Sequence, residues 1–126
     1  MVNNKKLGTA FEKKMCEWLA DQGYWVHFIV PDARGAQPFD IIAVKNGRAM
    51  AVDCKTSAIN RFSINRLEDN QVFAFERWLA CGNEMPMLAV LYEEKLFMIE
   101  YKLLKEMQVI DLNRIKAIRE YRWQAL

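Results

Sequence analysis

The chain has 126 residues, 52% of them hydrophobic and 27% charged, which fits a single globular domain over residues 1–126 and excludes a disordered or low-complexity chain. A formal charge of +2 permits a nucleic-acid partner without demanding one, since a local basic patch matters more than the sum. No apolar run approaches the ~18 residues of a membrane span, and the first residues carry no apolar leader, so the expectation is an intracellular (cytoplasmic) protein with no membrane partner.

Residues 5–22 read as an amphipathic helix. Leu7, Phe11, Met15, Trp18 and Leu19 recur at three- and four-residue spacing, Asn4 stands where a cap belongs, and Gly23 ends the run. Residues 24–30 read as an apolar strand. Its His27 is the sole histidine of the chain and reads as a packed or hydrogen-bonded strand residue rather than a catalyst. Cys16, Cys54 and Cys81 are odd in number and widely spaced. They match reduced thiols, and no paired Cys/His spacing supports a zinc site. A loop over 31–37 follows.

Pro38–Lys45 and Arg48–Lys55 are both strand-like, and Asn46-Gly47 between them is a strong two-residue hairpin signal. A two-residue turn pairs 45 with 48, 44 with 49, and so on to 40 with 53. Asp40 and Asp53 then face each other with Cβ atoms about 5 Å apart, and Lys55 shares their face. Ile41, Ala43, Met50 and Val52 form one apolar side of the hairpin, and Ile42, Val44, Ala49 and Ala51 the other. Two apolar faces imply a central sheet covered on both sides.

Residues 56–64 read as a loop with a short strand at Phe62-Ser63-Ile64. Asn65 and Glu68 have capping-box spacing before a helix over about 66–80. Leu67, Ala74, Phe75 and Trp78 make its buried stripe, and Gln71 falls inside that stripe. Cys81-Gly82-Asn83 closes the helix. Strands over 85–92 and 96–101 flank a turn at Glu93-Glu94-Lys95. A short helical segment and then a C-terminal helix from about Leu112 complete the chain. That last helix would carry Arg114, Lys116, Arg119 and Arg122 beside Tyr121 and Trp123, as a DNA-facing surface, a dimer contact or a plain polar face. The order α-β-β-β-α-β-β-α is an α/β fold with a mixed central sheet flanked by helices.

Two carboxylates facing each other across a ladder repel, so a fold has little reason to hold them there without a cation between them. Hard divalent metals take oxygen ligands in this arrangement. A lysine beside the pair adds positive charge at the same point. The combination suits phosphoryl chemistry, in which charge develops on oxygens.

These hairpin residues resemble the PD-(D/E)XK nuclease superfamily, whose restriction-endonuclease-like core is a mixed sheet flanked by helices. Asp53-Cys54-Lys55 matches its acid-x-Lys element. Asp40 matches its first acid, although the chain reads Pro38-Phe39-Asp40 rather than an adjacent Pro-Asp. The literal Pro31-Asp32 precedes Ala-Arg-Gly, reads as a turn, and cannot face Asp53. Glu12, in Gly8-Thr9-Ala10-Phe11-Glu12, resembles the first-helix acid of Holliday junction resolvases of the RecU and Hjc kind. Gln71 resembles the polar residue on the helix after the active-site lysine in RecU-type resolvases, and Gln71-x-x-x-Phe75 loosely matches a Gln-x-x-x-Tyr element of RecB-like nucleases. The stalk insertion of RecU-type enzymes is not evident. The resemblance covers roughly residues 8–92.

What the resemblance implies is a Mg²⁺-dependent endodeoxyribonuclease, with Mn²⁺ as a substitute, acting on branched or four-way DNA as a homodimer. Asp40 and Asp53 would hold the metal, with the Cys54 carbonyl and Glu12 as further ligands. Lys55 would orient or activate the attacking water. Gln71 would hold a water or a phosphate. The plainer readings are a surface glutamate for Glu12, a core-edge amide for Gln71 and a solvated strand-end lysine for Lys55. Lys5, Lys6, Arg34, Arg61 and Arg66 flank the expected site and would contact phosphates, though each alone reads equally as a solvated charge. Another structure-specific or nonspecific repair or phage nuclease, and an inactive DNA-binding module, remain open alternatives on the same fold.

Overall fold

A computed structural model describes residues 4–31 and 37–120. The first helix, α1 (Asn4–Asp21), is followed by an antiparallel meander of β1 (Trp25–Phe28), β2 (Ile41–Lys45) and β3 (Arg48–Thr56). A short strand β4 (Arg61–Ser63) and a 3-10 turn (Ile64–Arg66) lead into α2 (Asp69–Ala80). Then come β5 (Met87–Tyr92), β6 (Lys95–Glu100), α3 (Tyr101–Met107), β7 (Val109–Asp111) and β8 (Arg119–Glu120).

Six strands form one sheet in the order β1-β2-β3-β5-β6-β8, and β4 pairs with β7 in a separate ribbon. Every pairing is antiparallel except β3 with β5, which are joined by a crossover through β4 and α2. A parallel pair needs such a long connection, and here it supplies the helix that faces the site.

The apolar spacing of α1 does what it predicts. Phe11, Met15 and Leu19 are each no more than 1% exposed and pack on Ile41, Ala43, Val52, Ala89 and Leu91. Each such side chain contributes about 1.5–3 kcal/mol by leaving water. On the opposite face Phe75, Phe62, Tyr101, Leu104 and Ile110 pack on Ala51, Leu88, Val90 and Ile99. That face is incompletely covered toward the hairpin turn, where Ile42, Val44 and Ala49 stay half-exposed. The turn itself has φ of 52° at Asn46 and 74° at Gly47, the left-handed pair of a type I′ turn.

Three expectations are corrected. Residues 112–118 are turns and bends, not a helix, and the described chain ends in β8. The Asn113 N–H donates to Asp111 Oδ1 at 3.0 Å and the Arg114 N–H to Asp111 O at 3.0 Å, a local turn that competes with helix. Leu112 is buried in the α2-side core and the Ile118 N–H donates to Leu96 O, so tertiary packing takes the segment along the sheet. Arg122, Tyr121 and Trp123 lie outside the described residues. The helix cap also shifts: Asn65 sits in the 3-10 turn, capped by Ser63 Oγ at 3.1 Å, and the capping box is formed by Glu68 with Gln71. Finally, His27 is exposed on the edge strand β1 and stacks on Trp25 at 6.1 Å rather than packing inside.

Candidate active site

Register decides the site. Ile41 pairs with Val52, so the next positions outward bring Asp40 opposite Asp53. The backbone holds Asp40 from two directions. Its carbonyl accepts from the Ile29 N–H at 2.7 Å, and its Oδ2 accepts from the Cys54 N–H at 2.8 Å. Asp53 is 1% exposed and Asp40 7%, so both carboxylates are nearly withdrawn from water. In the parallel pairing Asp53 sits beside Leu88 and Lys55 beside Val90, both buried apolar neighbours.

Gln71 completes the cluster from α2. Its Nε2 donates to Asp53 Oδ1 at 3.1 Å. Its Oε1 accepts from Lys55 Nζ at 3.1 Å and from the Glu68 N–H at 3.1 Å. One amide therefore caps the helix and ties the acid to the lysine. Lys55 Nζ also lies 3.3 Å from Asp53 Oδ2, an ion-pair contact that lacks hydrogen-bond geometry. Oδ2 is buried and has no hydrogen-bond partner.

The electrostatics follow from burial. Desolvation first, and the charge of Asp40 second, push Asp53 up to about 8, against the opposing pull of Lys55. Glu12 on α1 is half-buried and is pushed up to about 7, by desolvation and then by Asp40. Among the described residues no three His, Cys, Asp or Glu side chains converge as a ready ligand set. The anionic centre is the Asp40–Asp53 pair, with Glu12 set back on α1 and coupled to it through charge. Burial, then the charges of Asp40, Asp53 and Glu12, raise the Cys54 thiol well above its usual range. A hard cation prefers oxygen to sulfur, which leaves the carbonyl as the donor Cys54 would offer it.

The structure thus brings Asp40, Asp53, Lys55 and Gln71 together and places Glu12 at their edge. A buried carboxylate oxygen with only a 3.3 Å ion-pair contact to Lys55, facing a second carboxylate, is a donor set that a hard divalent cation fits. Of the expected phosphate contacts, Lys5, Lys6, Arg61 and Arg66 are exposed, and Arg34 lies outside the described residues. Arg66 has a structural task as well: its Nη2 donates to Thr56 O at 2.8 Å, bracing the end of β3 just past Lys55. Sequence spacing placed Gln71 on the right face but missed the two hydrogen bonds its Oε1 accepts, from the Glu68 N–H and from Lys55 Nζ. The signal was present as Glu68 three residues before it.

The family model of the archaeal Holliday junction resolvases (Hjc) matches residues 3–121. The chain belongs to that family. The Crossover junction endodeoxyribonuclease Hjc of Methanocaldococcus jannaschii is 30% identical over 121 residues, covering 94% of this chain and 85% of that protein. Among solved structures, Hjc of Archaeoglobus fulgidus, a Holliday junction resolvase, superposes with a TM-score of 0.64 at 17% identity, over 82% of this chain and 86% of that one. This second likeness supports the fold. The restriction-endonuclease-like nuclease expected from the hairpin is borne out by the family, and with it the assignment as a resolvase that cuts DNA. Among the described residues no helix is long and apolar enough to cross a membrane.

Proposed function

We propose that this chain, read as one nuclease domain over residues 1–126, is a Mg²⁺-dependent endonuclease that hydrolyses phosphodiester bonds in four-way DNA junctions. The observation that supports it most is the buried Asp40–Asp53 pair with its orphaned oxygen, tied through Gln71 to Lys55. Asp40 and Asp53 would hold the cation, with the Cys54 carbonyl and Glu12 completing its surroundings, and Mn²⁺ would substitute for Mg²⁺ because the donors are all oxygens. The bound cation supplies Lewis-acid stabilisation of charge on the phosphoryl oxygens. Lys55 orients the attacking water and places positive charge beside the same oxygens. Gln71 fixes the Lys55 ammonium and the Asp53 carboxylate relative to each other, so neither has to be ordered during the reaction. Lys5, Lys6, Arg34, Arg61 and Arg66 contact phosphates around the cut. The free thiols fit a reducing, intracellular setting.

Symmetric resolution needs two cuts, and two copies related by a two-fold axis supply them. The exposed apolar surface that supports this reading is the outer side of α2. Phe73 is 69% exposed there, beside a groove of about 780 Å³ lined by Pro38, Phe39, Ala74 and Trp78. A Phe73→Asp variant should sediment as a monomer; an unchanged dimer mass would move the contact elsewhere.

The direct test is cleavage of a labelled four-way junction beside a matched linear duplex, with Mg²⁺ and with EDTA. Paired symmetric nicks confined to the junction and to Mg²⁺ are expected. Cutting of both DNAs would mean a less selective nuclease. Binding without cutting, with every metal tried, would mean an inactive DNA-binding module.

A further inference from the structure

The loop that leaves the catalytic strand presents an isoleucine to solvent. Ile59 is 62% exposed, at the tip of residues 57–60 between Thr56, the end of β3, and Arg61, the start of β4. A single exposed apolar side chain is ordinary on a protein surface. Two properties set this one apart.

The first is rigidity. The Ser57 N–H donates to Leu91 O at 2.8 Å, which holds the start of the loop on β5. Ser57 Oγ donates to the carbonyl of Ile59 itself at 2.6 Å. Asn60 Nδ2 donates to Asp111 Oδ1 at 2.8 Å, and the Leu112 N–H donates to Asn60 O at 2.7 Å, which holds the other end on the β7 segment. The tip is therefore tied before, at and after Ile59. Isoleucine is itself stiff at χ1, so little freedom remains to be lost on contact.

The second is position. Ile59 follows Lys55 by four residues, so their Cα atoms are at most about 14 Å apart. Arg61 and Arg66 are exposed on the same segment, and the Arg66 guanidinium lies 5.6 Å from the Phe62 ring centroid while bracing Thr56. An exposed, tied-down apolar tip with cationic neighbours, one short loop away from Lys55, suits the interior of a nucleic acid, with phosphates on its flanks and bases in front.

We propose that Ile59 is a wedge that inserts against the exposed base-pair faces at the branch point of the junction. This rests on the junction-cleaving activity proposed above and adds a residue that selects the substrate. At a branch point, base pairs already end without continuous stacking, so an aliphatic side chain enters with little unstacking. In a linear duplex the same insertion must break a base step, which costs a few kcal/mol. Ile59 thereby converts a difference in DNA stacking into a preference for the branched substrate.

The test uses the full chain with Ile59→Ala, Ile59→Ser and Ile59→Leu. The junction carries 2-aminopurine beside the branch point, and binding is followed in EDTA against an unlabelled linear duplex. Wild type and Ile59→Leu should raise the fluorescence on binding. Ile59→Ala and Ile59→Ser should lose most of that rise and about tenfold of the junction-over-duplex preference. Thermal stability and duplex affinity should stay at wild-type values, because the side chain is exposed. Wild-type fluorescence and preference in Ile59→Ala would overturn the wedge. Equal weakening on both DNAs would also overturn it, making Ile59 a general contact. A wild-type chain that leaves the junction uncut in Mg²⁺ would remove the activity and the wedge together, a result distinct from either.

Discussion

β3 and β5 lie side by side in one sheet and are built on opposite terms. β5 is Met-Leu-Ala-Val-Leu-Tyr, with every residue after the first buried. β3 is buried only in its middle, at Ala51, Val52 and Asp53, and places that Asp53 where its neighbour has Leu88 and Lys55 where its neighbour has Val90. The same environment that stabilises leucine penalises a carboxylate. One strand therefore supplies stability, and the other uses part of it to hold charge out of water.

Exchanging the character of these neighbours gives the largest expected effects. Asp53→Asn should lower junction cleavage by on the order of 10³-fold or more, since the charge that holds the cation is gone. The same variant should melt a few degrees higher than the parent in EDTA, because an amide avoids the desolvation that Asp53 suffers. Retained cleavage, or a lower melting temperature in EDTA, would show that Asp53 is not the strained group described here. Leu88→Ala, across the strand pair from it, should do the reverse. It should cost about 2–5 kcal/mol in denaturant unfolding while cleavage per folded molecule survives.

Acidity sharpens the contrast. Asp53 is raised from 3.8 to about 8 and Glu12 from 4.5 to about 7, so the folded protein retains protons that the unfolded chain releases. Unfolding free energy in EDTA should therefore fall as pH rises from about 4 to 8, the direction set by fewer protons on the unfolded state. A cation that prefers the ionised pair removes this penalty. The rise in melting temperature on adding Mg²⁺ should be larger at pH 8 than at pH 6, and an equal rise at both would argue against the pair as the cation site.

The smallest effect comes from the two hairpin turns. β2–β3 turns on Asn46-Gly47, residues that tolerate positive φ, whereas β5–β6 turns on Glu93 and Glu94 at φ of 49° and 61°. Those glutamates are held in the left-handed region by six flanking pairs, from Tyr92–Lys95 to Met87–Glu100. Glu94→Gly should stabilise by about 0.5–1 kcal/mol in denaturant unfolding, while Gly47→Ala should destabilise.

The two turns also show what was readable beforehand. Asn46-Gly47 announces its own geometry, and from it the register and the facing of Asp40 and Asp53 follow by counting. Helix α1 was equally legible, because Phe11, Met15 and Leu19 lie one turn apart and find one apolar face. The C-terminal segment was not. Leu112, Ile115 and Ile118 have helical spacing, but Asp111 and Asn113 form a local turn and β6 offers an open edge, so long-range pairing overrides the local pattern. The cap of α2 was misplaced by three residues because Asn65 and Glu68 satisfy the same spacing rule as Glu68 and Gln71. Only the position of Asp53 on the sheet chooses between them. Gln71 could thus be placed near the site without its contact to Lys55 being visible.

That glutamine narrows what the position can hold. It must accept from the Glu68 N–H and from Lys55 Nζ while donating to Asp53. An ionised glutamate would keep both acceptances but lose the donor and add negative charge beside the pair. Lysine and arginine have no acceptor, and asparagine is one methylene short. Among these side chains only glutamine meets all three demands at this reach. Position 71 therefore has a narrow vocabulary, set by geometry that spans a strand, a helix start and the lysine between them.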